Sequence, residues 1–388
     1  MIDFEYSMPT EIIFGKNSES KLCSEIKKYG KKIMLHYGGG SIKKSGLYGR
    51  TIKALRDAGI EYVELGGVQP NPKLDLVKEG IKICRDDKID FILAVGGGST
   101  IDSAKGIAMG VPYKGDVWDF YSYKANPVEV LPVGVILTLP AAGSESSYST
   151  VVTNDEGCKR AFDDNSLRPK FAILNPELTF SLPPYQTACG VTDIMVHIIE
   201  RYFTNTMNVE LTDRLCEAAL KTVMSNAPIA LEKPDDYAAR SEIMWTGSVA
   251  HNNLLSTGRI GDWASHMIEH ELSGINDVAH GAGLAIIVPA WMKYVYKHDV
   301  NRFVQFATRV MNVEQSFQEP EKTALEGIKR LKDFFRSIGM PTSLKEIGIG
   351  EGYFEKIAVD CRKFDKDTVG NFVKLGITDI INVLKLAN

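Results

Sequence analysis

Three of the chain's seven histidines fall inside one stretch of sixteen residues, HMIEHELSGINDVAHG, from His266 to Gly281. Read as a helix, His266 to Ser273 places His266 and His270 within about 40° of each other, with Ile268 and Leu272 on the opposite side. VTDIMVHIIERYF repeats the arrangement. Val191, Ile194, Met195, Ile198, Ile199 and Tyr202 form an apolar stripe, and Asp193 and His197, spaced i and i+4, share the face turned away from it. A carboxylate with imidazoles is a donor set for a divalent cation: the carboxylate offsets charge, and neutral imidazole suits zinc or iron. His280 follows in DVAHGAGLAIIVP, where Gly281 and Gly283 permit close packing of an apolar segment. Asp193, His197, His266, His270 and His280 are thus five candidate ligands for a site that takes three or four from protein. Spacing does not choose among them, and an i,i+4 pair is also common as a plain helix-face contact.

A second chemistry is suggested by glycine. YGGGS (Tyr37 to Ser41) and VGGGSTID (Val95 to Asp102) each follow an apolar, strand-like run. Glycines allow close approach of a ligand to the backbone, and free N–H groups at a helix start attract phosphate. Gly97, Gly98 and Ser99 are the phosphate candidates; Asp102 could hold a sugar hydroxyl or favour the first helical turn. The third glycine of GxGxxG is missing, so the pattern departs from the usual Rossmann fingerprint. Gly38, Gly39, Gly40 and Ser41, with Lys43 and Lys44 just beyond, offer no carboxylate to a ribose diol. Small residues, a hydroxyl and cations suit a 2′-phosphate, so NADP is favoured over NAD. A third loop, Thr138 to Glu145 (TLPAAGSE), also ends a strand in small and hydroxyl residues.

These groups need elements to carry them. KIMLHY, FILAV, VGVILTL and FAIL read as strands buried on both faces, alternating with helix-like SGLYGRTIKALRDAG and NPKLDLVKEGIKICRDD. That alternation predicts a parallel sheet covered on both sides. After Leu182-Pro183-Pro184 long helical periods take over. The expected organisation is an α/β dinucleotide-binding domain over 1–183 and a helical domain over 184–388. The 388 residues carry 45 basic and 49 acidic side chains for a net charge of -4, which favours neither nucleic acid nor an anionic membrane. No apolar run approaches the roughly 20 residues of a membrane span. The N-terminus does not read as a signal peptide, and six scattered cysteines without a CxxC pair suit a reducing cytoplasm.

GGGSTID, TLPAAGSES, TDIMVH and HMIEHELSGINDVAHG together resemble the iron-containing (group III) alcohol dehydrogenases. YGGGSIKKSG, the Gln69–Pro72 turn, RPKFAILNP and YAARSEIMW look like the NADPH-dependent butanol dehydrogenase and aldehyde reductase branch. The likeness runs nearly the whole chain. It implies an α/β dinucleotide-binding domain followed by an all-α domain, a dehydroquinate synthase-like architecture with the active site in the cleft. It selects Asp193, His197, His266 and His280 as ligands of Fe2+ or Zn2+, with His270 a catalytic-pocket residue that does not bind the ion. On the coenzyme side it implies Gly97, Gly98, Ser99 and Asp102 near the pyrophosphate, Thr138 and Ser144 nearer the nicotinamide, and contacts from Asn71 and Lys159. Gly38 stands where NAD-preferring relatives carry Asp. Ala141-Ala142 departs from the threonines of many relatives, which removes a hydroxyl contact.

The expected activity is reversible hydride transfer between NADP(H) and a small or medium aliphatic aldehyde, by a cytoplasmic homodimer. Three imidazoles and one carboxylate would leave net positive charge at the ion, favouring an alkoxide. The alternatives are an NAD-linked polyol (glycerol-type) dehydrogenase, a dehydroquinate synthase-like lyase, and a metal-binding structural protein. Trp118, Phe120, Tyr121, Tyr148, Leu254 and Trp263 are candidates for an apolar substrate wall or for plain packing.

Overall fold

The computed structural model describes residues 1–276, 278–362 and 367–388; Asp277 of the histidine-rich stretch lies outside them. Its strands are β1 (Glu11–Phe14), β2 (Lys32–Tyr37), β3 (Glu61–Leu65), β4 (Phe91–Gly97), β5 (Val133–Leu139), β6 (Ser149–Thr153), β7 (Lys159–Asp163) and β8 (Phe171–Leu174). The helices of the first half are α1 (Leu22–Ile26), α2 (Ser41–Lys44), α3 (Leu47–Asp57), α4 (Leu74–Asp86), α5 (Gly98–Gly110) and α6 (Trp118–Tyr121). Then come α7 (Pro184–Tyr202), α8 (Glu210–Glu232), α9 (Tyr237–His251), α10 (Ala264–Asn276), α11 (His280–Val295), α12 (Val300–Arg309), α13 (Pro320–Ser337), α14 (Phe354–Asp360) and α15 (Ile377–Leu386).

The four continuous apolar runs are strands, and they pair in parallel within a six-stranded sheet of order β1-β8-β5-β4-β2-β3. Side chains alternate between two buried layers. Met34, Ile92, Ala94 and Val135 go to one, while Ile33, Leu35, Leu93 and Val95 go to the other. Gly134 is required on this sheet because a Cβ there would lie 2.4 Å from the Phe171 ring, which stacks on Phe91. EIIF and EYVEL add the two edge strands, and β6 with β7 forms a separate antiparallel hairpin.

The strand order reverses between β2 and β4: β2 leads outward to β3, and β4 leads the other way to β5. Ligands of open α/β sheets bind at such a switch point, outside the carboxyl ends of the strands. The two triple-glycine turns sit there, since Tyr37 and Val95 are paired neighbours.

Two compact units result. One comprises Ser7–Leu182 and Pro234–Asn252, the other Met1–Tyr6, Pro183–Lys233 and Asn253–Asn388. A single cut between 183 and 184 therefore does not describe the contacts: α9 belongs with the α/β unit, and the first six residues belong with the helical one. The reason for the α9 excursion is local. Gly143 (φ 64°) leaves no room for a Cβ against Gly247 O, 2.7 Å away, and Ser146 Oγ donates to Ser248 O at 3.2 Å. Ser248 Oγ in turn donates to Glu145. Thus α9 holds the loop that follows β5.

In the helical unit α11 reads GLAIIVPAWM, apolar all round, and it is buried throughout that run against α7, α10, α13 and α15. Among the described residues no helix is long and apolar enough to cross a membrane.

Candidate metal centre and coenzyme loops

The polar face of α7 is not a solvent face. Val191 to Tyr202 is buried on all sides, so Asp193 and His197 point at other helices. From Asp193 Oδ1 it is 3.9 Å to His266 Nε2 on α10 and 3.6 Å to His280 Nε2 at the start of α11. Ligand atoms of Asp193, His266 and His280 all lie within 4.8 Å of one another. Two donors at tetrahedral angles, each about 2.1 Å from a common ion, are about 3.4 Å apart, so these separations suit one cation. The observation that tests the fit is chemical: Asp193 Oδ1 and His266 Nε2 are buried atoms with no hydrogen-bond partner among the described residues. A buried carboxylate oxygen and an imidazole nitrogen left facing each other are the groups a cation satisfies.

His197 stands beside this trio rather than in it. Its Nδ1 lies 2.9 Å from the Asp193 carbonyl and 3.0 Å from Oδ1, and its ring centroid is 4.5 Å from that of His266. His270 is half-buried next to the group, 5.6 Å from His280 and 6.4 Å from His266 between ring centroids. Glu269, His270 and His280 also converge. The Glu269 carboxylate, however, already accepts from Ser273 and from His280 Nδ1, so we read it as an orienting group, not as part of a second ion site. The His280 side chain keeps 24% exposure against 8% for His266 and 5% for Asp193, so the group is most open on the His280 side.

Sequence reasoning missed two carboxyl groups. Glu200 Oε1 sits 3.2 Å from His266 Nδ1, and Glu269 bonds His280 Nδ1. The centre therefore holds three buried carboxyl groups, and the net positive charge expected from one carboxylate and three imidazoles is not what surrounds it. The signal was present, as Glu200 and Glu269 each follow a candidate ligand by three residues. Helical spacing alone could not say that they face imidazoles.

Charges here depend on one another. Burial opposes ionisation of Asp193, yet the neighbouring His197 and His280 hold its pKa well below the carboxylate range. Burial pushes His197 down to about 4. Burial also opposes charge on His266, but the nearby carboxylates of Asp193 and Glu200 outweigh that and raise it to about 9. In metal-free protein a proton on His266 thus does part of a cation's work. A pKa raised above the ordinary 6.5 stabilises the fold below that pH, and the contribution is lost as pH climbs through about 9. Metal-free protein should therefore lose melting temperature between pH 6.5 and 9 relative to protein loaded with Zn2+, where the ion displaces that proton. Lys105, depressed by burial to about 8, adds an opposite slope common to both forms, so the difference between the two melting curves is the quantity to follow. A pH-independent difference would count against this reading.

In the α/β unit the loops after β2, β4 and β5 supply the coenzyme candidates. A Cβ on Gly39 or Gly40 would meet nothing within 4 Å, and Ser41 is exposed at the start of α2. Lys43 lies over the Tyr37 and Tyr48 rings at 5.3 and 5.1 Å. The phenols of both tyrosines donate to Glu64, so the nearby β3 carboxylate is already engaged. Gly97 and Gly98 bring β4 into α5, with Ser99 half-buried in its first turn, and Gly98 faces Ala142 of the third loop with ordinary contact space. Thr138 lies near the end of β5.

Asp102 and Ser144 are bonded to each other. Ser144 Oγ donates to Asp102 Oδ1 at 2.5 Å and Val151 N to Oδ2 at 3.2 Å; burial lifts the carboxyl to about 6. Both carboxylate oxygens thus already accept within the protein. Lys105, a fully buried cation unmarked by sequence reasoning, donates toward Ser144 O at 2.7 Å, Ser149 O at 2.8 Å and Ser147 O at 3.0 Å. The pair clamps the third loop onto α5. Asn71 takes a left-handed φ of 54° in a turn tied to β6 through Thr153 N and Pro72 O, and Lys159 is buried on β7.

Of the aromatic candidates, Phe120 and Tyr121 belong to the α/β core, and Tyr148 lies under Arg168. Trp263 differs: its ring lies 5.3 Å from His266 and 6.0 Å from His197 between centroids.

The family model described as iron-containing alcohol dehydrogenase matches residues 9–176, and that of the Fe-containing alcohol dehydrogenase family C-terminal region matches 187–388. The chain belongs to the iron-containing alcohol dehydrogenase family. It is 43% identical over 387 residues, 99% of each chain, to the probable NADH-dependent butanol dehydrogenase 2 of Bacillus subtilis strain 168. It is 36% identical to the NADPH-dependent aldehyde reductase YqhD of Escherichia coli K12, with 90% of each chain covered. The crystal structure of NADH-dependent butanol dehydrogenase A from Thermotoga maritima superposes with a TM-score of 0.96 at 38% identity, covering 100% of this chain and 99% of that one. As a family member the chain is an alcohol dehydrogenase, an oxidoreductase of a class that uses a nicotinamide coenzyme and a divalent metal. Names on both sides of the NADH/NADPH divide occur among these relatives, so membership does not choose the coenzyme.

Proposed function

We propose that the chain is a metal-dependent, NADP(H)-linked alcohol dehydrogenase and aldehyde reductase acting on small or medium aliphatic aldehydes of the butanal type. The carrying observation is the buried trio in which, among the described residues, Asp193 Oδ1 and His266 Nε2 have no hydrogen-bond partner and His280 Nε2 completes the ring. Asp193, His266 and His280, with His197 adjoining, would hold Fe2+ or Zn2+; one carboxylate with imidazoles accepts either. When bound, the ion supplies Lewis acidity toward a carbonyl oxygen and the reduced nicotinamide supplies hydride. Asp193 provides the anionic donor, and the half-buried His270 is the imidazole we assign to exchange a proton with the alcohol oxygen. Gly38 to Ser41 would receive the 2′-phosphate, and Gly97, Gly98 and Ser99 the pyrophosphate at the α5 N-terminus. The setting is a homodimer in the cytoplasm; six scattered cysteines without a CxxC pair suit a reducing compartment.

The relatives named for NADH favour NAD as a second reading for the coenzyme. Metal-reconstituted protein mixed with butanal and either coenzyme should consume NADPH faster than NADH. Faster NADH use supports the second reading. No consumption of either, across aldehydes of increasing length and with Fe2+ or Zn2+ bound, rejects the proposed activity.

A further inference from the structure

We infer that Glu200 and Glu269 are positioning residues that set the tautomer and ring orientation of His266 and His280, turning both Nε2 atoms toward Asp193. This rests on the metal-centre reading above and adds to it. A carboxylate offers only acceptors, so an imidazole nitrogen bonded to it carries the proton and the other nitrogen keeps its lone pair. Glu200 faces Nδ1 of His266 at 3.2 Å, and Glu269 faces Nδ1 of His280. The third imidazole is held in the same sense by the backbone, its Nδ1 lying 2.9 Å from the Asp193 carbonyl. All three rings are thus anchored through Nδ1.

The two carboxylates are themselves fixed. Glu200, 1% exposed, accepts the Trp263 amide at 2.6 Å and the His266 amide at 3.0 Å, so one group captures the start of α10 and the ring that α10 carries. Trp263 takes a left-handed φ of 72° there, a conformation a bulky residue adopts only when its surroundings impose it. Glu269, fully buried, accepts the Ser273 hydroxyl, and its Cγ occupies the space beside Gly283. A Cβ at position 283 would come within 2.7 Å of Glu269 Cγ. The glycine spacing noticed in HGAG thus makes room for an orienting carboxylate. Carboxylate partners of this kind raise the donor strength of ligating imidazoles, and their loss typically costs about 10–100-fold in metal affinity.

The test is Zn2+ affinity, by competition with a chelator, for metal-stripped wild type, Glu269→Ala, Glu269→Gln, Gly283→Ala and Glu200→Gln. Melting temperatures of the metal-free proteins are taken in parallel. We expect Glu269→Ala and Gly283→Ala to bind about 10–100-fold more weakly, with metal-free melting temperatures near wild type. The two Gln variants, which keep an acceptor, should stay within a few-fold of wild type. Wild-type affinity in both Glu269→Ala and Gly283→Ala overturns the inference and leaves the metal centre standing. Loss that tracks a lowered metal-free melting temperature in every variant marks a structural role and also overturns it. A wild-type protein that binds no Zn2+ removes the metal-centre reading itself.

Discussion

His266→Ala protein should come away from purification without its divalent ion and with kcat/KM for an aldehyde reduced by about 1,000-fold or more. A Lewis acid at a reacting carbonyl contributes several kcal/mol, and each 1.4 kcal/mol is about tenfold in rate. His266 is the ligand candidate whose removal does most damage, because it meets both Asp193 and Glu200 in the buried centre. Alanine there leaves two carboxyl groups facing a cavity, a costly arrangement in a buried site. Metal content is therefore to be normalised to folded protein. His270→Ala is the matched control: it should lower turnover while retaining the ion, since His270 lies beside the trio. Elemental analysis and initial rates on both variants decide the matter. A metal-depleted His266→Ala enzyme with wild-type turnover would falsify the assignment.

The second large effect is expected at Gly38. Gly38→Asp should lower the NADPH/NADH ratio of kcat/KM by about 10- to 100-fold, because a carboxylate would repel a 2′-phosphate and receive a ribose diol. At about 4 Å, like charges near a protein surface repel by roughly 1–4 kcal/mol, which covers that range. The site can take the side chain. Gly38 needs no left-handed backbone, and its Cβ would sit 3.5 Å from Val68 O and 3.7 Å from Thr100 Oγ1, ordinary contact distances. The Gly38 carbonyl stays bonded to Gly67 N at 3.0 Å, so the turn itself should survive. Initial rates with both coenzymes measure the ratio; an unchanged value would place the adenosine ribose elsewhere.

Why some features were legible and others were not follows from the range of the forces involved. KIMLHY, FILAV, VGVILTL and FAIL announce a buried parallel sheet because strands covered on both faces must be apolar at every position. Asp193 with His197, and His266 with His270, can be paired by eye because helical geometry places i and i+4 side by side. Such patterns are local. Pro234–Asn252 looks like part of a helical second half, yet it sits in the α/β unit because Gly143 and Ser146 give α9 a seat there. Lys105 looks like an ordinary helix lysine, but it is buried among the carbonyls of residues 144, 147 and 149.

The candidate metal centre divides along the same line. Which residue types could bind a cation, and on which helical faces they lie, was determined by the sequence by itself, through the period of the α-helix. Only the tertiary structure decided that Asp193, His266 and His280 converge, that His197 adjoins them, and that Glu200 and Glu269 stand behind two of the rings. Helix packing brings Asp193 of α7 together with His266 of α10 and His280 of α11, more than seventy positions away. The choice of partner then depends on crossing geometry and on the space left by small residues such as Gly283, neither of which a single helix's periodicity records.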